Sequence, residues 1–207
     1  VSRLLDITPR ISPRLGVWPG DTPFSREVLL DVESGDNITL STIHTTVHLG
    51  AHTDAPNHYA TGSPDIADRP LDRYYGPCEV MKVAVARGQR ILPAFLPRAP
   101  TTERLLLRTD TFPDPEQFNT DFASLSADLI HHLHTAGVRL VGIDTPSIDL
   151  FDDKILESHT AVAGHDMAIL EGIVLTEVPD GHYTLIALPL PIEGADASPV
   201  RAVLVVD

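Results

Sequence analysis

The chain has 207 residues, 43% hydrophobic and 21% charged, which suits one globular domain spanning residues 1–207. Its formal net charge of −14 makes a surface that repels nucleic acid and anionic lipid, and no apolar run reaches the roughly 18 residues of a membrane span, so neither a nucleic-acid partner nor a membrane is expected. The lone Cys78 excludes an internal disulfide and a thiolate zinc cluster, so any metal must be held by His and carboxylate.

In chain order, Ile38–Ile43 alternates and is rich in β-branched residues, predicting a strand. Cys78 precedes the apolar run Val80–Ala86, the next expected strand, and reads as a buried small hydrophobe rather than a reactive thiol. Arg104–Arg108 is another short apolar run flanked by turn residues. Ser126 can cap a helix whose apolar stripe is Leu129, Ile130 and Leu133 and which Gly137 ends. His131, His132 and His134 on that helix read as a solvated or partly packed face. The helix feeds the strand Arg139–Ile143, an α/β unit. A second helix is expected around His165–Leu170, then strands at Thr184–Leu188 and Arg201–Val206. The sum is a strand-rich α/β chain with few helices. The 18 prolines are spread along it, which describes many turns rather than a linker. No basic, apolar, small-residue series opens the sequence, so a cytoplasmic location is expected.

Four potential metal ligands, His48, His52, Asp54 and His58, fall within one irregular segment that contains Gly50 and Pro56. Imidazole and carboxylate suit zinc and similar divalent ions. A turn at Gly50 would let His48 and His52 converge, and Asp54 has two oxygens with which to bridge two ions. The competing reading is a chance cluster among the ten histidines of the chain. Farther on, His159, His165, Asp166 and Glu171 offer more donors. In a straight helix, positions 159 and 171 would point about 120° apart. They could share an ion only if the chain bends, which Gly164 permits; otherwise Glu171 is a capping or surface carboxylate.

The segment His48-x3-His52-x-Asp54-x3-His58 resembles the signature of the cyclase-like metal hydrolases, a family that includes bacterial kynurenine formamidase and isatin hydrolase. Ala51 stands where many members have Thr, a form similar to the kynurenine formamidase branch. Val17–Pro23, Leu106–Thr109, Gly142–Ser147, Met167–Leu175, Ile186–Leu190 and Asp196–Leu204 resemble that branch too, so the likeness covers nearly the whole chain. It implies a swivelling β/β/α fold, a homodimer and two divalent metal ions, usually zinc, with manganese the alternative. His48, His52 and Asp54 would hold one ion; Asp54, His159 and Glu171 the other. His58 would be the acid/base residue and Trp18 would contact the substrate, with His165 a weaker candidate for lining the site.

The implied reaction is hydrolysis of an aryl formamide, N-formyl-L-kynurenine, to L-kynurenine and formate in tryptophan breakdown. Water activated at the metal site would attack the formyl carbon, with His58 moving the protons. The alternatives are a sister hydrolase acting on isatin or another cyclic or aryl amide, a non-catalytic metal-binding module, and a structural domain with a fortuitous cluster. Asp144, before Thr145-Pro146, reads as a turn organiser. Ser147 lacks the Gly-x-Ser-x-Gly setting of a serine nucleophile.

Overall fold

The computed structural model describes residues 3–206. In chain order the strands are β1 (Arg3–Asp6), β2 (Ser25–Leu30), β3 (Leu40–His44), β4 (His52–Asp54), β5 (Tyr75–Lys82), β6 (Arg90–Ile91), β7 (Arg104–Arg108) and β8 (Ser124–Leu125). Helix α1 (Ala127–Thr135), β9 (Leu140–Ile143), α2 (Glu157–Gly164), β10 (Ala168–Leu170), β11 (Gly181–Ile186), β12 (Ala197–Pro199) and β13 (Val203–Val206) follow. Seven strands form the main sheet in the order β1-β13-β11-β5-β7-β9-β10. Pairing is antiparallel from β1 to β5 and parallel from β5 through β7 and β9 to β10. This is the strand-rich mixed α/β fold the sequence predicts, with two α-helices among the described residues.

Strand β7 shows why the sheet carries a core on each face. Leu105, Leu106 and Leu107 are all fully buried. Alternation sends Leu106 to one side, with Val80, Leu140, Leu170 and Leu204, and its neighbours to the other, with Met81, Val141, Ile143 and Ile169. Helix α1 covers the second side through Leu129, Ile130 and Leu133. Its N-terminus is capped as expected: the Ser126 hydroxyl accepts the Leu129 N–H at 3.1 Å. Opposite the helices, β4 pairs with β12, and Ala51 and Val200 pack into the first core.

The second helix differs from expectation. It spans Glu157–Gly164, and the segment assigned to it instead forms β10, parallel to β9. Gly164 ends the helix, Asp166 takes a left-handed φ of 49°, and Ala168–Leu170 is buried on both faces of the sheet. A three-residue apolar strand buried on both sides has no period to distinguish it from a helical turn. Cys78 is fully buried, and burial pushes its thiol up to about 12, the inert packing residue expected. No helix among the described residues is long and apolar enough to cross a membrane.

Candidate metal centre

Backbone pairing joins the two halves of the site. The His52 N–H donates to the Glu171 carbonyl at 3.1 Å and the Glu171 N–H to the His52 carbonyl at 2.9 Å, bridging β4 to the end of β10. The approach requires glycine at 172. Its φ is +65°, and a Cβ there would lie 2.1 Å from the Gly50 carbonyl oxygen. That carbonyl accepts a hydrogen bond from His52 Nδ1 at 2.9 Å, which fixes the ring and turns Nε2 toward the carboxylates. Asp54 projects from β4, two residues on.

The five residues expected as ligands meet around Asp54. Its Oδ1 lies 3.1 Å from His48 Nδ1 and 3.5 Å from His52 Nε2, and its Oδ2 lies 3.5 Å from His159 Nε2. Glu171 lies 3.1 Å from His52 Nε2 through Oε2 and 3.7 Å from His159 Nε2 through Oε1. Donors held about 2.0–2.1 Å from one zinc ion stand roughly 3–3.4 Å from each other. The two 3.1 Å separations fall in that range and the 3.5–3.7 Å ones lie just beyond it, and the two oxygens of Asp54 face different imidazoles. Asp54 Oδ1 is also buried with no directed hydrogen bond, an orphan a cation would satisfy. The donor set fits a divalent metal. Two groups of donor atoms converge: His48, Asp54 and His58, and His52, Asp54 and Glu171. His58 is thus within ligand reach of the centre, and Glu171 is a buried centre residue rather than a surface or capping carboxylate.

The electrostatics carry the same sign. Burial disfavours charge on His48, but Asp54 and Asp196 overcome it and hold the imidazole proton up to about 9. Burial likewise opposes charge on His159, and Asp149, Asp54 and Glu171 raise it to about 10. Burial alone would push Asp54 up; His159, His48 and His52 pull it well below the ordinary carboxylate range. The pocket is built to stabilise positive charge.

Two carboxylates escaped the sequence reading. Asp149 Oδ2 faces His159 Nδ1 at 2.7 Å, and both its oxygens accept backbone N–H groups from the start of α2. Asp196 Oδ2 sits 3.0 Å from His48 Nε2 and 3.1 Å from His58 Nδ1, tying the two rings together. Asp149 lies ten residues before His159 and meets it at the start of α2, whereas Asp196 is brought in from far along the chain by the pairing of β12 with β4. His165 lies away from the centre, with Nε2 2.7 Å from His131 Nδ1 and its ring stacked on His134 at 4.0 Å on the outer helical face. The expectation that it lines the site is overturned, because the turn after α2 points it outward. His131, His132 and His134 are exposed, the solvated face expected.

The centre opens into a cavity of about 700 Å³, within the range of small-molecule sites. Trp18 lines it, stacked on Phe151 at 4.9 Å and edge-on to Phe118 at 5.7 Å. The family model named Cyclase matches residues 5–150. The chain belongs to the cyclase family. It is 43% identical over 206 residues to the kynurenine formamidase of Maricaulis maris (strain MCS10), covering 99% of this chain and 98% of that one. A solved structure described as a potential metal-dependent hydrolase with cyclase activity is 26% identical, with a TM-score of 0.83 and coverage of 99% and 98%. Isatin hydrolase A of Labrenzia aggregata shares the fold at 21% identity and a TM-score of 0.85, covering 99% of this chain and 94% of that one. Cyclase-family membership and the similarity to a kynurenine formamidase support an amide hydrolase, and the His/Asp/Glu donor set is one that could hold a metal.

Proposed function

We propose that this cyclase-family chain is a kynurenine formamidase, hydrolysing N-formyl-L-kynurenine to L-kynurenine and formate. The observation that carries the reading is the 43% identity, across 99% of the chain, with the kynurenine formamidase of Maricaulis maris. The cavity supports it: donors for metal and the indole of Trp18 line the same space, which suits an aryl formamide.

His48, His52 and Asp54 would hold one divalent ion and Asp54, His159 and Glu171 a second, both zinc in this reading. When bound, the ions supply Lewis acidity that polarises a formyl oxygen and lowers the pKa of water toward ~7. His58 takes the proton of the attacking water and returns it to the leaving aniline nitrogen. Asp196 accepts from His58 Nδ1 at 3.1 Å, which leaves Nε2 as the working atom. Asp149 fixes the His159 ring from behind in the same way. The test compares rates on N-formyl-L-kynurenine and isatin for purified protein, with and without chelation, alongside His58→Ala. Metal-dependent turnover of the formamide, lost in His58→Ala, is expected. Preference for isatin, or full activity in His58→Ala, would overturn the assignment.

The same reading includes a homodimer, with β2 and β3 as its arm. Among the described residues these strands pair only with each other, and every residue of both is exposed. Val28, Leu29, Leu30, Leu40 and Ile43 are bare, Ile43 at 62%. An isolated two-stranded hairpin is marginal in water. Residues 25–44 supply about the 20–30 residues a side of a standard interface, and the occupant we assign is a second copy of the chain.

A further inference from the structure

The parallel half of the sheet ends in a row of charge that the hydrolytic chemistry does not use. Lys82 ends β5 and Arg108 ends β7, as register partners. Asp110 follows β7 with a left-handed φ of 58°, and Asp144 follows β9. All four line the cavity that holds the metal donors and Trp18. Carboxyl ends of parallel strands are where α/β sheets bind ligands.

Their bonding separates scaffold from free valence. Asp144 is committed to the loop: it accepts the Thr109 and Asp110 N–H groups at 2.9–3.0 Å and the Thr109 hydroxyl at 2.6 Å. Arg108 is anchored to the Val178 carbonyl at 2.7 Å, and its buried Nε, which has no hydrogen-bond partner, stands 3.7 Å from Asp110 Oδ1 as a looser ion pair. Lys82 and Asp110 remain, with Nζ 2.6 Å from Oδ2 and side chains 53% and 39% exposed. Asp180 stands behind them, 3.6 Å from Arg108 and accepting the Lys82 N–H. An exposed pair of this kind adds little to stability, so packing does not explain its place in the cavity wall.

We propose that Lys82 and Asp110 form a subsite for the zwitterionic α-amino-acid head of the substrate. The carboxylate lies against Lys82, with Arg108 beside it, and the ammonium lies against Asp110. An α-amino acid holds its opposite charges roughly 3 Å apart, by its bond lengths. The Lys82–Asp110 pair presents the reverse order at 2.6 Å, so the two align head to tail. The reach agrees as well. Strands stand about 4.8 Å apart, which puts β7 roughly 10 Å and β5 roughly 14 Å from Glu171 at the end of β10. N-formylkynurenine spans about 8 Å from formyl carbon to carboxylate, and the Lys82 side chain closes the rest. Isatin has no charged head for this pair to meet. The inference rests on the formamidase reading and names the determinant of its selectivity.

The experiment compares kcat/KM on N-formyl-L-kynurenine and on 2-formamidoacetophenone, the same aryl formamide without the amino-acid head. It uses wild-type protein, Lys82→Met and Asp110→Asn; Asn tolerates the left-handed backbone. Wild type should favour the amino-acid substrate roughly ten- to a hundredfold, and each variant should remove most of that preference. Equal treatment of both substrates by wild type, or undiminished preference in both variants, overturns the subsite. If neither formamide is hydrolysed, the formamidase reading fails, and calorimetry with L-kynurenine and 2-aminoacetophenone decides the subsite separately. Stronger binding of L-kynurenine that both variants abolish keeps it; equal binding of the two ligands overturns it.

Discussion

Gly172→Ala tests whether the backbone bridge between β4 and β10 sets the metal site. Two costs add. An L-residue at a φ of +65° is strained by about 1–2 kcal/mol. The new Cβ would also stand 2.1 Å from the Gly50 oxygen, where an ordinary contact needs about 3.4 Å, so the two backbones must part by roughly 1 Å. Together these should destabilise the protein by about 2–4 kcal/mol. The displaced carbonyl is the one that orients His52, so metal affinity should fall roughly ten- to a hundredfold. Gly137→Ala is the control: its φ is +89°, but its Cβ would meet nothing within 4 Å. It should show the strain alone, with metal affinity unchanged. Thermal melts give the stability, and competition with a chromogenic chelator gives the affinity. A Gly172→Ala protein that folds and binds metal like wild type would refute the coupling between this bridge and the site.

Asp149→Asn should weaken metal binding roughly tenfold or more, because His159 loses the carboxylate that fixes its ring; metal titration reads this, and unchanged affinity would assign Asp149 to capping α2 alone. Trp18→Ala should raise KM for N-formyl-L-kynurenine about tenfold and leave metal content intact; loss of metal would place Trp18 in the architecture of the centre. Val28→Glu with Ile43→Glu should convert a dimer into a monomer by light scattering, and a wild type already monomeric at micromolar concentration would remove the arm. Chelated protein should lose stability as pH rises. His48 and His159 are held up to about 9 and 10, above the ordinary 6.5, so their contribution is complete below about 6.5 and disappears as pH climbs through 9 and 10. Metal-loaded protein should decline less over that window, since the ions replace those protons; parallel melting curves would contradict this.

What the sequence disclosed follows from locality. His48, His52, Asp54 and His58 are close in the chain, and their irregular, glycine-turned segment is visible without a fold. Helix α1 was legible from Ser126 and its apolar stripe, and β7 from a run buried on both faces. Asp196 was not, because the β4–β12 pairing brings it to His48 and His58; nor was Asp149, which meets His159 by accepting the N–H groups at the start of α2 across an irregular turn. Joining His159 to Glu171 came from family resemblance. A helical reading set them apart, and the strand β10, with the bridge at its end, is what turns Glu171 inward. Lys82 and Arg108 met only through the parallel register of β5 and β7.

In the proposed function, the donors around Asp54 bind the metal on which formamide hydrolysis depends. Metal-free protein should be titrated with zinc while N-formyl-L-kynurenine turnover and bound metal are followed together. Negligible activity is expected without metal, with a rate that rises with occupancy up to two ions per chain. Undiminished turnover by the metal-free protein would contradict it.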